Sequence, residues 1–308
     1  MKVTFGTSSI KGFKRAVVAL GVFDGLHIGH RCILTGAVKK SREIRGTALV
    51  LTFTPHPQGE ESLYSLEHRL RLIADLGIDA CIVIKFTHAF AEITAEDFVK
   101  DILVKKVRAS YVYVGSNFRF GKGARGDTHL LKYFSSLYGF KLKVFNVIKI
   151  DGKNISSTYI RRLITSGNLR MAELLLCRPV SVFGTVIKGI SWAGRMGFPT
   201  ANINPHHEVL PPPGIYAVRV IRNKNKLSGI CYIGNRPTFL MRKSAAAGIK
   251  LKSIEVHIFN FKKDIYGEDL EIQFIKKIRN ERKFVSRSAL ITRIRKDIEA
   301  ARKLFSRH

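Results

Sequence analysis

The sequence predicts two domains of different class. Residues 1–179 read as an α/β domain with a doubly wound parallel sheet, and residues 180–308 as an antiparallel β-barrel with a closing C-terminal helix. Three observations predict this. At 308 residues the chain is long for a single core. Its first half alternates continuous apolar, β-branched runs with segments of helical period, the pattern of buried parallel strands joined by crossover helices. After Pro179 the runs become short, often alternating, and broken by Gly, Pro, Asn or Asp, as in antiparallel barrels.

Taken in order, the expected strands of the first domain are Ala16–Val22, Thr47–Phe53, Cys81–Ile84, Tyr111–Val114 and Leu142–Val147. Between them lie helical patterns at Arg31–Ser41, Glu67–Leu76 and Ala95–Val104. Thr94, with Asp97 three residues on, reads as a capping box opening the last of these. The opening MKVTFGTSSIKGFKRAVVAL has basic residues ahead of a short apolar run but no small-residue cleavage site, so it reads as the first strand of a cytoplasmic protein. A helical segment, Met171–Leu176, precedes a boundary near 178–180. Beyond it SVFGTVI, GIYAVRVI, SGICYIG, IEVHIFNF and LEIQFI are strands, MRKSAAAGIKLKS an irregular loop, and amphipathic Arg287–Leu304 the closing helix.

Composition narrows the function classes. No apolar stretch reaches about 18 residues, so no membrane span is expected. Cys32, Cys81, Cys177 and Cys231 are isolated, with no CxxC pair; reduced thiols are expected, not a zinc knuckle or a dithiol centre. The net charge is +30. Such a charge suits a polyanion, but the lysines and arginines run through the whole chain, thickening only in KKIRNERKFVSRS and RIRKDIEAARKLFSRH. A basic surface coat explains that distribution as well. No nucleic-acid partner is expected, since a phosphorylated small substrate needs only a local positive field.

Two stretches carry chemistry. GVFDGLHIGH, residues 21–30, falls where a strand hands over to a helix. Gly21, Gly25 and Gly29 let backbone approach a ligand closely. The helix start offers free N–H groups to a phosphate. His27 and His30, three apart, can face one side and stabilise charge on a phosphate in transit. A metal site would want i,i+4 histidines and a third ligand, neither of which is evident; two histidines packed under a loop remain the plain structural alternative. The second stretch, GTVIKGISWAGRMGFPTANI at 184–203, contains Gly189, Gly194 and Gly197 and ends in P-T-A-N. Thr200 and Asn202 supply hard oxygens that suit Mg2+ beside phosphates, although composition alone allows a simple glycine-rich turn. Glu255 sits in the alternating strand I-E-V-H-I-F, where a solvated face is the alternative to a site.

GVFDGLHIGH resembles the HxGH signature of nucleotidyltransferases, and more closely the adenylyltransferase half of the bacterial bifunctional riboflavin kinase/FAD synthetases. TFTPHP at 52–57, VGSNFRFGKGARGD at 114–127 and ISSTYIRRLI at 155–164 follow in that family's order. GRMGFPTAN resembles the flavokinase signature, and PPPGIYAV at 211–218, IGNRPTF at 233–239, IEVHIFNF at 254–261 and DIYG at 264–267 follow it. The resemblance implies a Rossmann-like nucleotidyltransferase domain and a flavokinase-like barrel. It implies phosphorylation of riboflavin by ATP to FMN, then adenylylation of FMN by ATP to FAD and pyrophosphate, with Mg2+ as cofactor and riboflavin, FMN, FAD and ATP as expected partners, and leaves the oligomeric state open. By the same resemblance Gly21, Phe23, Asp24, His27, His30, Ser157, Thr158 and Arg161 hold one ATP, with the two histidines catalytic. His56, Pro57, Asn117 and Arg119 attend the flavin. In the barrel, Gly189, Gly194, Arg195, Gly197, Pro199, Thr200 and Asn202 hold the other ATP, Thr200 and Asn202 also bind the metal, Glu255 is the catalytic base, and Arg279 and Phe284 reach the flavin. Four positions depart from the family pattern: Asn117, where many members carry Asp, and Tyr159, where many carry Arg, in the first domain; and, more mildly, Cys177, where Gly is common, and Asn260, where Asp is common. Two rival readings stay open. A tRNA-synthetase- or cytidylyltransferase-like enzyme shares the HxGH loop, although the KMSKS-like lysine loop of a synthetase is missing. A basic RNA-binding barrel would leave the P-T-A-N loop and Glu255 without a purpose.

Overall fold

The chain opens one strand earlier than expected. In a computed structural model, which describes all residues except 9, 11, 58–61, 190–196, 207, 236–251 and 307–308, β1 (Lys2–Phe5) precedes β2 (Ala16–Leu20). There follow α1 (Ile28–Glu43), β3 (Thr47–Thr54), α2 (Leu66–Asp75), β4 (Ala80–Lys85), α3 (His88–Ala91) and α4 (Ala95–Asp97), which runs on into a π-helical stretch, Phe98–Val107. Next come β5 (Ala109–Gly115), α5 (Thr128–Tyr138), β6 (Lys141–Phe145), the short ribbon β7 (Lys149–Ile150) and β8 (Lys153–Asn154), and α6 (Ser157–Ser166). At the start of α4 the Thr94 hydroxyl accepts from the Asp97 N–H at 3.0 Å and donates to the Asp97 carboxylate at 2.7 Å.

The sheet order is β1-β4-β3-β2-β5-β6 and every pair is parallel. Alternation on β2 feeds two cores. Ala16, Val18 and Leu20 pack with Leu49 and Leu51 on one face, while Val17 and Ala19 pack with Ala48 and Val50 on the other. A sheet covered on both faces explains why its central strands are continuous apolar runs. From β2 the chain moves out to β3 and β4 on one side, and later to β5 and β6 on the other. The loops after β2 and β5 therefore part at a topological switch point, where open α/β sheets bind ligands.

Two compact units are present, Met1–Ile160 and Arg161–His308. Residues 161–179, expected with the first domain, group with the second; there a Cβ on Gly167 would meet the Pro212 ring at 3.3 Å. The second unit continues with α7 (Leu169–Leu176), β9 (Ser181–Ile187), β10 (Ala201–Asn204), β11 (Gly214–Arg222), β12 (Asn225–Asn235), β13 (Lys252–Ile258), β14 (Asp269–Arg279) and α8 (Arg287–Phe305). The strands close an antiparallel barrel in the order β10-β13-β12-β11-β14-β9. Val218, Cys231, Val256, Ile272 and Phe274 are buried in it. Asn223 and Lys224, both at positive φ, make the tight turn between β11 and β12. α8 starts at the Ser286 cap and packs Ala301 against Ala217 and Ile230 on the barrel's outer face. Among the described residues no helix is long and apolar enough to cross a membrane. The expected loop over residues 241–253 lies mostly outside the described residues.

Candidate active sites

The loop after β2 is held in an unusual backbone conformation. Phe23, Gly25 and Leu26 have φ of 53°, 73° and 45°. For a residue with a side chain, the left-handed region costs about 1–2 kcal/mol, so the loop needs anchors. Phe23 and Leu26 are buried. The Asp24 carboxylate accepts from the Leu63 N–H at 2.9 and 3.0 Å. The Val22 carbonyl accepts from the Thr52 hydroxyl at 2.9 Å and from Arg69 Nη1 at 2.7 Å, and Arg69 Nη2 also donates to the Phe53 carbonyl at 3.3 Å. The Ser157 hydroxyl donates to the Asp24 carbonyl at 2.9 Å, tying the start of α6 to the loop. Arg69 is nearly fully buried and is the residue that sequence reasoning missed. Its only signal is a charge on the apolar side of LRLI. Space is tight where the rings crowd: a Cβ on Gly21 would lie 3.1 Å from the Phe23 ring and one on Gly29 3.2 Å from the His27 ring, so either ring would have to give by a few tenths of an ångström.

His27 is the N-cap of α1, its Nδ1 accepting from the His30 N–H at 3.4 Å. That bond places the ring proton of neutral His27 on Nε2. The two imidazoles stack at 3.7 Å. Burial pulls His27 down to about 4. His30 is driven well below its ordinary value by burial first and by His27 second. Both rings are therefore neutral near pH 7. His30 Nδ1 is buried with no hydrogen-bond partner among the described residues. A cavity of about 240 Å³ is lined by His27, His30, His56, Asn117, Ser157 and Thr158, among others. It lies at the ends of β2 and β5 and at the N-termini of α1 and α6, the latter capped by Ser156, whose hydroxyl accepts from the Tyr159 N–H at 3.2 Å. Neutral N–H donors and two helix starts present positive partial charge to an anion without burying a full charge.

Not every expected residue lines this cavity. Phe23 and Asp24 are buried beneath the loop, and Gly21 and Pro57 stand outside the lining. Arg119 is paired with Asp127, the cap of α5, at 3.1 Å. Arg161, further along α6, belongs to the second unit. At Tyr159, where the resemblance expects arginine, Lys153 Nζ lies 5.9 Å from the ring centroid.

On the barrel, register builds the second site. Ile215 pairs with Tyr232, Tyr232 with Glu255, and Glu255 with Asn202. Directly opposed residues in antiparallel ladders face the same side. Ile254 and Val256 are 1 % exposed and fill the interior, so the row from Ile215 to Asn202 faces outward. A cavity of about 300 Å³ lies there, lined by Tyr232, Glu255, Arg279 and Phe284 and walled by Leu290 and Ile294 of α8. A neighbouring cavity of about 390 Å³ is lined by Pro199, Lys262, Lys263 and Tyr266. Thr200 borders both cavities. Its hydroxyl oxygen is buried with no hydrogen-bond partner among the described residues, and Asn202 is also buried. A Cβ on Gly189 would run into the Asn202 amide, and Gly197 has a φ of 86° that glycine adopts without strain. His257 Nδ1 lies 2.7 Å from the Pro199 carbonyl, to which it donates, holding the P-T-A-N turn against β13. Gly194 and Arg195 lie outside the described residues. Among those described, no cluster of three His, Cys, Asp or Glu could hold a metal. Two neutral oxygens beside a phosphate fit Mg2+, which keeps water and substrate ligands.

The FAD synthetase family model matches residues 9–159, and the riboflavin kinase model residues 176–305. A bifunctional riboflavin kinase/FMN adenylyltransferase of Escherichia coli K12 is 36% identical over 297 residues, covering 94% of this chain and 92% of the relative. The Bacillus subtilis enzyme of the same name is 33% identical over 304 residues, covering 95% and 93%. A crystal structure described as a macrolide-efflux protein from Streptococcus pneumoniae is 27% identical, with a TM-score of 0.83 over 98% of this chain and 99% of that one. With both family models in tandem on the sheet that carries His27 and the barrel that carries Glu255, the chain belongs to the bifunctional riboflavin kinase/FAD synthetase family.

Proposed function

We infer that the chain converts riboflavin to FAD in two ATP-dependent steps, with residues 1–179 as the FMN adenylyltransferase domain and 180–308 as the riboflavin kinase domain. The observation that carries this is the contrast between its cavities: one is lined by neutral imidazoles and helix starts, the other by a carboxylate beside a buried hydroxyl with no hydrogen-bond partner among the described residues.

In the kinase step the ribityl 5′-hydroxyl of riboflavin attacks the γ-phosphorus of ATP, giving FMN and ADP. An alcohol is a weak nucleophile near neutral pH, and Glu255 takes its proton as it attacks. Thr200, shared by both cavities, lies where the flavin hydroxyl and the nucleotide phosphates would meet. Thr200 and Asn202 would hold Mg2+, which when bound offsets the charge of the phosphates. In the adenylyl step an oxygen of the FMN phosphate attacks the α-phosphorus of a second ATP and pyrophosphate leaves. With a second pKa near 6 that phosphate is already anionic, so no base is needed. His27 Nε2–H donates to the phosphoryl oxygens as charge builds, and Ser157, Thr158 and Asn117 orient the groups. Arg161 completes the ATP contacts in this reading, and His56, Pro57 and Arg119 attend the flavin. The four free cysteines support a reducing, cytoplasmic setting. The +30 charge serves anionic substrates, and nucleic acid is not a partner in this reading.

The test is to incubate the purified chain with riboflavin and MgATP and to separate FMN from FAD by chromatography. His30→Ala should stop FAD formation and spare FMN formation. Glu255→Gln should stop FMN formation and spare FAD formation from supplied FMN. Equal loss of both activities in both folded variants would refute the two-site assignment.

A further inference from the structure

One wall of the flavin-side cavity is a strap, residues 280–286, between β14 and α8. Glu281, Arg282 and Phe284 on this strap line the cavity. The strap is pinned at two points. Glu281 accepts a hydrogen bond from the Tyr232 hydroxyl. At its root, Arg279 donates from Nε to Asp297 Oδ2 at 2.9 Å and from Nη1 to the Asn280 carbonyl at 3.0 Å, and its Nη2 lies 2.8 Å from the same carboxylate oxygen as an ion pair. Each nitrogen of Arg279 thus has a partner within the protein. The guanidinium also lies 5.5 Å from the centroid of the Phe284 ring. Asp297, 1 % exposed, takes a second guanidinium on its other oxygen, from Arg293 Nε at 2.9 Å.

We propose that Asp297 is a positioning residue for riboflavin phosphorylation: through Arg279 it holds the strap so that Phe284 and Glu281 face the flavin. Arg279 is then a strut between β14 and α8, not a free hand for the substrate. This rests on the reading of the cavity as the kinase's flavin site. The two arginines on Asp297 differ in what they join. Arg293 lies four residues away on the same helix, so its bond to Asp297 says nothing about the strap. The bond from Arg279 crosses from the barrel to the helix. A buried carboxylate wants paired charge and satisfied oxygens, and either arginine meets part of that need. Asp297 itself borders the cavity, and of the two arginines only Arg279 carries its hold across to the strap.

The test uses the full chain and measures kinase kcat, the KM for riboflavin and the KM for ATP, with FAD formation from supplied FMN as a check on folding. The variants are Arg279→Lys, Arg293→Lys and Asp297→Asn. Lysine keeps the charge but loses the two-point grip. Displacing a pocket wall by about 1 Å can cost on the order of 100-fold, so Arg279→Lys should raise the KM for riboflavin by about 10- to 100-fold and leave the KM for ATP unchanged. Arg293→Lys should change neither. Asp297→Asn should follow Arg279→Lys; if it does not fold, the two lysine variants decide. Equal effects of the two lysine variants on riboflavin KM, or a parallel rise in both KM values for Arg279→Lys, would overturn the proposal while leaving the kinase reading intact. A wild-type chain that makes FAD from FMN but no FMN from riboflavin would overturn the kinase reading itself.

Discussion

Acidifying the protein from pH 7 to pH 5 should loosen the first unit through His27, and His27→Asn should remove that share of the loss. In the folded chain His27 titrates at about 4, against an ordinary value of 6.5, because its ring is buried. The unfolded chain therefore binds the proton first as pH falls. The stabilisation is complete above pH 6.5 and is lost on acidification down through about 4, the reverse of a histidine that gains an acidic partner. At about 1.4 kcal/mol per pH unit, the gap between 6.5 and 4 amounts to about 3 kcal/mol, and about 2 kcal/mol of it is already lost at pH 5. Asparagine keeps an acceptor for the His30 N–H at the start of α1 but does not titrate. The assay is urea unfolding at both pH values, with amide exchange in β2 and β3 to assign the loss to the first unit. His30 is present in both chains, so the difference between them reports chiefly His27. Identical pH dependence in the two chains, or a His27 Cε1–H resonance titrating near 6.5, would refute the reasoning.

Further outcomes follow from the same geometry. Glu255→Gln should lower kinase kcat by about 10²–10⁴-fold, the usual worth of a positioned base, measured as FMN formed with FAD synthesis from FMN unchanged. Gly189→Ala drives a methyl into the Asn202 amide; FMN formation should collapse and the adenylyl step should persist. Arg69→Met leaves the Val22 and Phe53 carbonyls without that donor, and a chemical melt should show a loss of about 1–3 kcal/mol together with slower FAD formation. Ser157→Ala frees the Asp24 carbonyl from α6 and should raise the KM for ATP in FAD synthesis without altering the kinase step.

The sequence exposes whatever depends on near neighbours and hides what depends on distant ones. β2 and β3 are legible because strands buried on both faces must be apolar throughout. β1 is not, because KVTF is four residues long, half-exposed, and settled only by its pairing with β4. α5 is hidden because Tyr133 and Leu137 stand 62% and 56% exposed and blur its apolar stripe. The histidines announce themselves by spacing, whereas Arg69 reaches carbonyls 16 and 47 residues away. The resemblance implies Arg279 as a flavin contact, and it lines that cavity; its ion pair with Asp297 on α8 is something no local pattern reveals.

In the proposed reading, the protonation states also explain why histidines would serve one site and a carboxylate the other. A phosphate nucleophile arrives already charged, so a base would add nothing and a nearby carboxylate would repel it. What helps is a set of fixed donors that sharpen as charge moves onto the transferring group. A charged imidazolium would donate more strongly. Here it would have to form at the buried start of α1, and both the burial and the positive helix end oppose it. A neutral His27, its Nδ1 committed to the helix and its Nε2–H left to donate, supplies the donor without that penalty. The hydroxyl of riboflavin poses the opposite problem, since it must lose a proton while it attacks. A half-buried Glu255, opposite Tyr232 and Asn202 in the ladder, can accept that proton and release it to solvent. Exchanging the two groups, imidazole on the barrel and carboxylate at the sheet edge, would disable each step for a different electrostatic reason.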